Sequence, residues 1–345
     1  GGDAGGEARL SPSKKDADRL DESDIRVRPG RRGSRPRTKR RPEHADAVTA
    51  MVVGVDRGRW TCVRGGDPTA RVTAMRAREL GRTPVVVGDE VGLVGDLSRG
   101  PESLARIVRV VERTSVLRRT ADDTDPYERV VVANAEQLLV VTSLADPPPR
   151  TGLIDRCLVA AYAGGLEPVL CLTKRDLVGP PAVAELVGRY AALELPVLVT
   201  GPEDTLDDVR ARLADRLSAL VGHSGVGKST LVNRLVPDAL RVTAAVSSVG
   251  KGRHTSTSTV ALPLAGGGWV VDTPGIRSFG LAHVSADDVV GAFGDLAEVI
   301  AGCPRGCTHL GPPADPECML DELTGTPRRR AESVRALLTA LSDGA

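Results

Sequence analysis

Aromatic side chains are scarce: two Trp, three Tyr and two Phe in 345 residues. A nucleic-acid surface that stacks bases on rings therefore has little to work with, and Trp60 is the single ring between residues 48 and 110. No apolar run approaches the ~20 residues a membrane-spanning helix needs, and no secretory leader is visible, so no membrane association is expected. Cys62, Cys157 and Cys171 are scattered and three more cysteines crowd together after residue 300. That is no disulfide framework, and it points to a reducing cytoplasm. Internal repeats are absent. The formal charge of +1 says nothing by itself, but its distribution does. Residues 1–25 hold seven acids against four bases, whereas residues 26–41 hold nine bases and no acid. With Gly, Pro and Ser interleaved, this stretch cannot bury apolar area, so residues 1–47 are expected to be a disordered arm with a basic run. Such an arm usually meets phosphate backbones through counterion release, the plainer alternative being a solvated tail.

What is present divides by rhythm. Residues 48–112 read as five short strands broken by turns: 51–55, 60–63, a run around Val72, 85–94 and 107–110. This pattern predicts an all-β barrel of OB type. From Val130 strand and helix alternate. Strands are expected at 137–142, 168–172, 197–200, 219–221 and 269–271, with helices at 154–162, 182–193, 206–217 and from Thr230. Residues 113–281 are therefore an α/β domain with a mostly parallel sheet. Residues 282–345 read as helical segments, around 287–290 and 332–341, flanking the cysteine cluster.

The chemistry begins at Gly222-His223-Ser224-Gly225-Val226-Gly227-Lys228-Ser229, a phosphate-binding loop between an apolar strand and a helix opened by Thr230. Glycines let backbone N–H groups wrap the β-phosphate, Lys228 reaches the β/γ oxygens, and the Ser229 hydroxyl ligates Mg²⁺. Asp272-Thr273-Pro274-Gly275 follows a strand, as a switch element should. Asp272 can hold Mg²⁺ through water and the Gly275 N–H can sense a γ-phosphate. Between them, residues 250–259 are rich in Gly, cations and hydroxyls. Thr255 is the candidate hydroxyl for Mg²⁺ there, with Thr257 and Thr259 as rivals.

Upstream of all these stands Thr173-Lys174-Arg175-Asp176, which reads as a guanine-recognition loop. Asp176 can accept from both N1–H and the exocyclic amine of guanine, a donor pair adenine lacks. Asn usually opens this motif; Thr173 in its place is expected to weaken the loop's tie to the phosphate loop. Thr200-Gly201 occupies the place of a last base-contacting loop but is too short to argue from. Base motif, then phosphate loop, then switches is the order of a circularly permuted GTPase. Ile276 stands where many GTPases carry a water-orienting Gln, so intrinsic hydrolysis is expected to be slow. His254 is the in-chain candidate for that catalytic role; the plainer reading is that it meets only solvent or RNA. Finally, Cys303, Cys307, His309 and Cys318, spaced C-x₃-C-x-H-x₈-C, make a closed tetrahedral set for one structural Zn²⁺.

Barrel, permuted GTPase domain and zinc loop, in that order, resemble the bacterial RsgA (YjeQ/YloQ) family. The most specific pieces are residues 222–229, Gly252-Arg253-His254-Thr255, residues 272–277 and the Cys₃His set; Ala133-Asn134 with Gln137 also looks familial. The resemblance implies a GTP hydrolase acting late in 30S ribosomal subunit assembly, stimulated by the small subunit and released on hydrolysis. It also implies that the barrel and zinc domain contact 16S rRNA and that His254 matches the family's proposed catalytic histidine. The family's zinc loop more often reads C-x₄-C-x-H-x₅-C, so the spacings around Cys307-x-His309 differ here. Oligomeric state is open from the residues, with a monomer expected. The rival readings are a GTP-gated RNA-binding module whose turnover is incidental, and a nucleotide-independent zinc scaffold.

Overall fold

The computed structural model describes residues 44–98, 103–119, 129–239, 259–273, 281 and 284–342. The basic arm, His254, Thr255, Thr257 and Gly275 lie outside the described residues.

Five strands close the N-terminal barrel: β1 (Val48–Asp56), β2 (Arg59–Val63), β3 (Arg71–Arg76), β4 (Glu90–Gly95) and β5 (Ala105–Val110). The pairing runs β1-β2-β3-β5-β4 and returns to β1, with β3–β5 parallel and the rest antiparallel. Alternation fills its core with Ala50, Val52, Cys62, Val72, Ala74, Val91, Leu93 and Ile107. Trp60 belongs to that core as well, its indole N–H donating to the Val85 carbonyl at 3.0 Å. The fourth strand starts later than its apolar run suggested. Residues 85–89 instead turn inward around Asp89, whose carboxylate accepts from Val86 N at 2.7 Å and from Arg113 at 2.7 and 2.9 Å. Asp89 is fully buried, so this paired guanidinium is what makes its burial tolerable.

A short hairpin, β6 (Val116–Arg119) with β7 (Arg129–Ala133), leads from the barrel. Asn134 then fastens the junction: its amide donates to Gly88 O at 3.0 Å and its carbonyl accepts from Thr114 N at 2.9 Å. The α/β part carries β8 (Gln137–Ser143), α1 (Thr151–Ala163), β9 (Glu167–Thr173), α2 (Pro180–Tyr190), β10 (Val197–Val199), α3 (Asp207–Leu213), β11 (Leu217–Val221), α4 (Lys228–Leu235), β12 (Val260–Pro263) and β13 (Trp269–Asp272). Its strand order is β10-β9-β8-β11-β13-β12, all parallel except β12. Every residue of β8 and β11 is buried, as central strands covered on both faces require. The helix read over 206–217 ends at Leu213. Ala214 leaves helical geometry and Asp215 turns at φ 57°, so Leu217 enters β11 instead.

The C-terminal part holds α5 (Ala286–Val290), α6 (Gly294–Ile300) and α7 (Gly325–Ser342). A capping box starts α5: Ser285 Oγ accepts from Asp288 N at 3.2 Å while the Asp288 carboxylate accepts from Ser285 N at 2.9 Å. Helix α7 packs along α1. Its Arg330 reaches Glu194 and Asp295, each at 2.7 Å, and the Ala192 carbonyl at 3.2 Å. Among the described residues, no helix is long and apolar enough to cross a membrane.

Candidate functional site

The parallel strands align so that their C-terminal ends fall side by side. Ser143 lies opposite Thr173, Leu172 opposite Val199, and Leu220 opposite Asp272. In an open α/β sheet that edge is where loops diverge and a ligand crevice forms. The 173–176 loop, the 222–229 loop and Asp272 emerge there, at the ends of β9, β11 and β13.

Gly222 leaves β11 so close to β8 that a Cβ would stand 2.5 Å from the Val141 carbonyl. Gly227 takes φ 91° to turn the chain into α4, whose first residue is Lys228. Ser224, Gly225 and Val226 form the turn between them, and Ser229 and Thr230 lie exposed in the first turn of the helix. The His223 ring turns back onto its own loop, with Nδ1 2.8 Å from Ser224 O. Lys228 pairs with the Asp272 carboxylate. Thr273, next in line, donates its hydroxyl to Leu220 O at 2.5 Å and so pins the end of β13 to the strand that feeds the loop.

Thr173 gives a correction. Its hydroxyl lies 2.5 Å from Val226 O and 3.2 Å from Thr142 O, and the residue is buried. The shorter side chain therefore keeps the direct tie to the phosphate loop that its substitution for Asn was expected to weaken. Lys174, at φ 59°, turns the loop and reaches the Asp146 carbonyl.

A pocket of about 300 Å³ opens beside these groups, lined among others by Thr173, Lys174, Asp176, Thr200, Gly201 and Gly227. Thr200-Gly201, too short to argue from in sequence, thus shares a cavity with Asp176. Sequence reasoning missed Arg234, on the last turn of α4, and Asp204. Arg234 donates to Gly201 O at 3.0 Å and to Asp204 O. Neither carries a motif signal; only the fold brings Arg234 to the pocket wall and Asp204 to Gly201.

The second cluster gathers Cys303, Cys307, His309 and Cys318, with all four ligand atoms within 4.8 Å of one another. The unusual spacings are absorbed by the intervening loops. His309 presents Nδ1 to Cys318 Sγ at 3.9 Å, while its Nε2 lies 2.6 Å from the Asp287 carboxylate. A metal-bound imidazole is oriented in this way, by a carboxylate on its far nitrogen. Backbone N–H groups of Met319 and His309 point at Cys303 and Cys307 Sγ, both at 3.4 Å. Burial pushes both thiols up, Cys307 to about 12, and contact with Cys318 adds to the rise. A cation among the sulfurs would offset that cost. The donor set and its outer partners fit a tetrahedral Cys₃His metal centre.

The family model described as RsgA GTPase matches residues 110–282. The small ribosomal subunit biogenesis GTPase RsgA of Chlorobaculum parvum is 34% identical over 312 residues, spanning 86% of this chain and 99% of the relative. Its namesake in Gemmatimonas aurantiaca is 38% identical over 246 residues, 70% of this chain and 78% of that one. Among solved structures, YloQ, described as a circularly permuted GTPase, superposes with TM-score 0.61 at 22% identity, covering 87% of this chain and 97% of that one. YjeQ from Thermotoga maritima gives TM-score 0.59 at 24% identity, with 85% and 98% covered. These likenesses show the fold: a circularly permuted GTPase domain behind a β-barrel.

Proposed function

The chain belongs to the RsgA GTPase family, and from that premise we propose that it hydrolyses GTP as an assembly factor of the small ribosomal subunit. One observation carries the nucleotide reading. The base loop and the phosphate loop, reversed in chain order, meet through a contact between residues 53 positions apart, Thr173 and Val226. In this reading Thr173, Lys174 and Asp176 frame the guanine. Residues 222–228 wrap the β-phosphate with backbone N–H groups at the N-terminus of α4, and Thr230 lies alongside. Lys228, paired with Asp272, is the cation for the β/γ oxygens. Ser229 and Asp272 offer the hard oxygen donors Mg²⁺ requires, joined by Thr255, and Gly275 senses the γ-phosphate. Held by these donors, Mg²⁺ would neutralise charge on the phosphates. With Ile276 in place of a water-orienting Gln, His254 positions the attacking water.

Zn²⁺ is the metal proposed for Cys303, Cys307, His309 and Cys318, with a structural role. Helix α5 begins shortly after the switch segment that starts at Asp272 and carries Asp287, the partner of His309. The path from switch to zinc loop is therefore short, and it supports a GTP-dependent shift between two poses of the C-terminal part. RNA contact by the barrel would rest on exposed arginines such as Arg76, Arg106 and Arg109, because Trp60 is spent in the core. The basic run 26–41 adds sequence-independent attraction to 16S rRNA.

GTP hydrolysis with and without purified 30S subunits, with 50S subunits and ATP as controls, tests the proposal. A large rise with 30S alone, specific for GTP, is expected. Binding to 30S without a rise would favour the second reading, a GTP-gated RNA-binding module, for which Ile276 and the basic arm speak.

A further inference from the structure

The base-reading loops sit at a weak place in the fold. Strand β10, which delivers Thr200 and Gly201, has three residues and, among the described residues, pairs on one side only, with β9. A loop hung from so short an edge strand needs other restraints to hold a fixed position. Three side chains supply them. The Asp204 carboxylate accepts from Gly201 N at 2.8 Å and takes Arg175 in a forked pair, at 2.5 Å to Nη2 and 3.1 Å to Nε. Arg234 reaches over from α4 to the carbonyls of Gly201 and Asp204. Gly201 is thereby held through both its N–H and its C=O. It is also the residue that flanks the base-reading carboxylate: a Cβ on Gly201 would lie 3.4 Å from Asp176 Oδ1.

Arg175 sits between Lys174 and Asp176 in the recognition loop, and its own N–H donates to Thr200 O at 3.3 Å. The two base loops and the phosphate-loop helix are thus fastened to one another around Asp204. An ion pair as exposed as Arg175–Asp204 adds little to global stability. Its placement suits a different task, holding Asp176 where a planar, bidentate acceptor must stand.

We infer that Asp204, forked with Arg175 and backed by Arg234, is a positioning residue that fixes Asp176 for guanine and so sets base specificity. The inference rests on the reading of Asp176 as the guanine-binding carboxylate. Arg175 and Arg234 act through the same restraint, one from each side.

The comparison of GDP with IDP isolates this effect. Inosine lacks the exocyclic amine, so IDP forfeits one of the two bonds to Asp176 and keeps every phosphate contact. The full-length protein should bind GDP more tightly than IDP by about tenfold or more. Asp204→Ala should lower that GDP/IDP ratio by about fivefold, by loosening the Asp176 geometry. Arg175→Ala should lower it in the same direction, and Asp204→Glu should recover part of it. Thermal melting of the nucleotide-free variants reads any purely structural loss separately. If Asp204→Ala weakens GDP and IDP equally, or leaves both unchanged, the positioning role is overturned while base reading by Asp176 stands. If the wild-type protein shows no preference for GDP over IDP, the underlying reading of Asp176 fails first.

Discussion

Replacing Thr173 with Val tests the joint between the base loop and the phosphate loop. Valine keeps the branched shape and nearly the volume, so no cavity term enters, and a methyl group takes the place of the hydroxyl against the carbonyl. That hydroxyl is buried and donates to Val226 O at 2.5 Å, with Thr142 O also in reach at 3.2 Å. Its loss strands a carbonyl away from water, which costs about 1–3 kcal/mol. In a domain of ~150–250 residues that corresponds to a fall of roughly 2–12 °C in Tm. The stranded carbonyl belongs to the phosphate loop, so nucleotide affinity should fall too. GDP stabilises the folded state by RT ln(1 + [L]/Kd), about 2.7 kcal/mol at a hundredfold excess over Kd. A tenfold weaker Kd at the same GDP concentration would remove about half of that. Thermal unfolding with and without GDP reads both effects at once. Thr173→Ser, which keeps the hydroxyl, should stay close to wild type in affinity. A Thr173→Val protein that matches wild type both in melting and in its GDP-induced shift would refute the reasoning.

Lys228→Ala should abolish measurable GTP and GDP binding by equilibrium dialysis while the fold, read by circular dichroism, persists. Cys318→Ser should lose bound metal, measured as zinc per chain by elemental analysis. Asp287→Asn should keep the metal but release it to a chelator after a loss of about 10–100-fold in affinity. Burial holds the Cys62, Cys157 and Cys171 thiols at about 12 against an ordinary 9.0. Between those values the native state binds more protons than the unfolded chain, so stability should fall as pH rises through about 9 to 12, measured by urea unfolding. At pH 8 the same thiols should resist alkylation until the chain is unfolded.

Much of this arrangement was legible in the sequence because its signals are local. A strand buried on both faces reads as an unbroken apolar run, and residues 137–142 gave β8 almost to the residue. The phosphate loop, with its glycines and its flanking strand and helix, could be placed by spacing alone. Where tertiary contacts decide, the reading slipped. The helix expected over 206–217 stops at Leu213, because residues 217–221 are needed as the central strand. Strand β12 went unnoticed, four residues ending in Pro263 and followed by a Gly-rich turn. Thr173 looked like a weakened motif residue because the sequence cannot show which carbonyl its hydroxyl meets. Asp204 and Arg234 were invisible for the same reason: neither sits in a motif, and it takes the pairing of β10 with β9 and the reach of α4 to bring them to Gly201, beside Asp176.

The pairing of β1 with β12, at Gly54 and Val260, joins the barrel and the α/β part into one eleven-stranded sheet. Unpaired strand edges are templates on which a second chain can add. At one side of the α/β sheet β12 meets the barrel through one pair, Gly54 with Val260, and the barrel closes on itself through β4 and β1. At the other side the last strand, β10, is three residues long, too short to recruit a partner strand with much force. The barrel thus stands at one flank of a sheet built from long-range pairings, with the short β10 at the other.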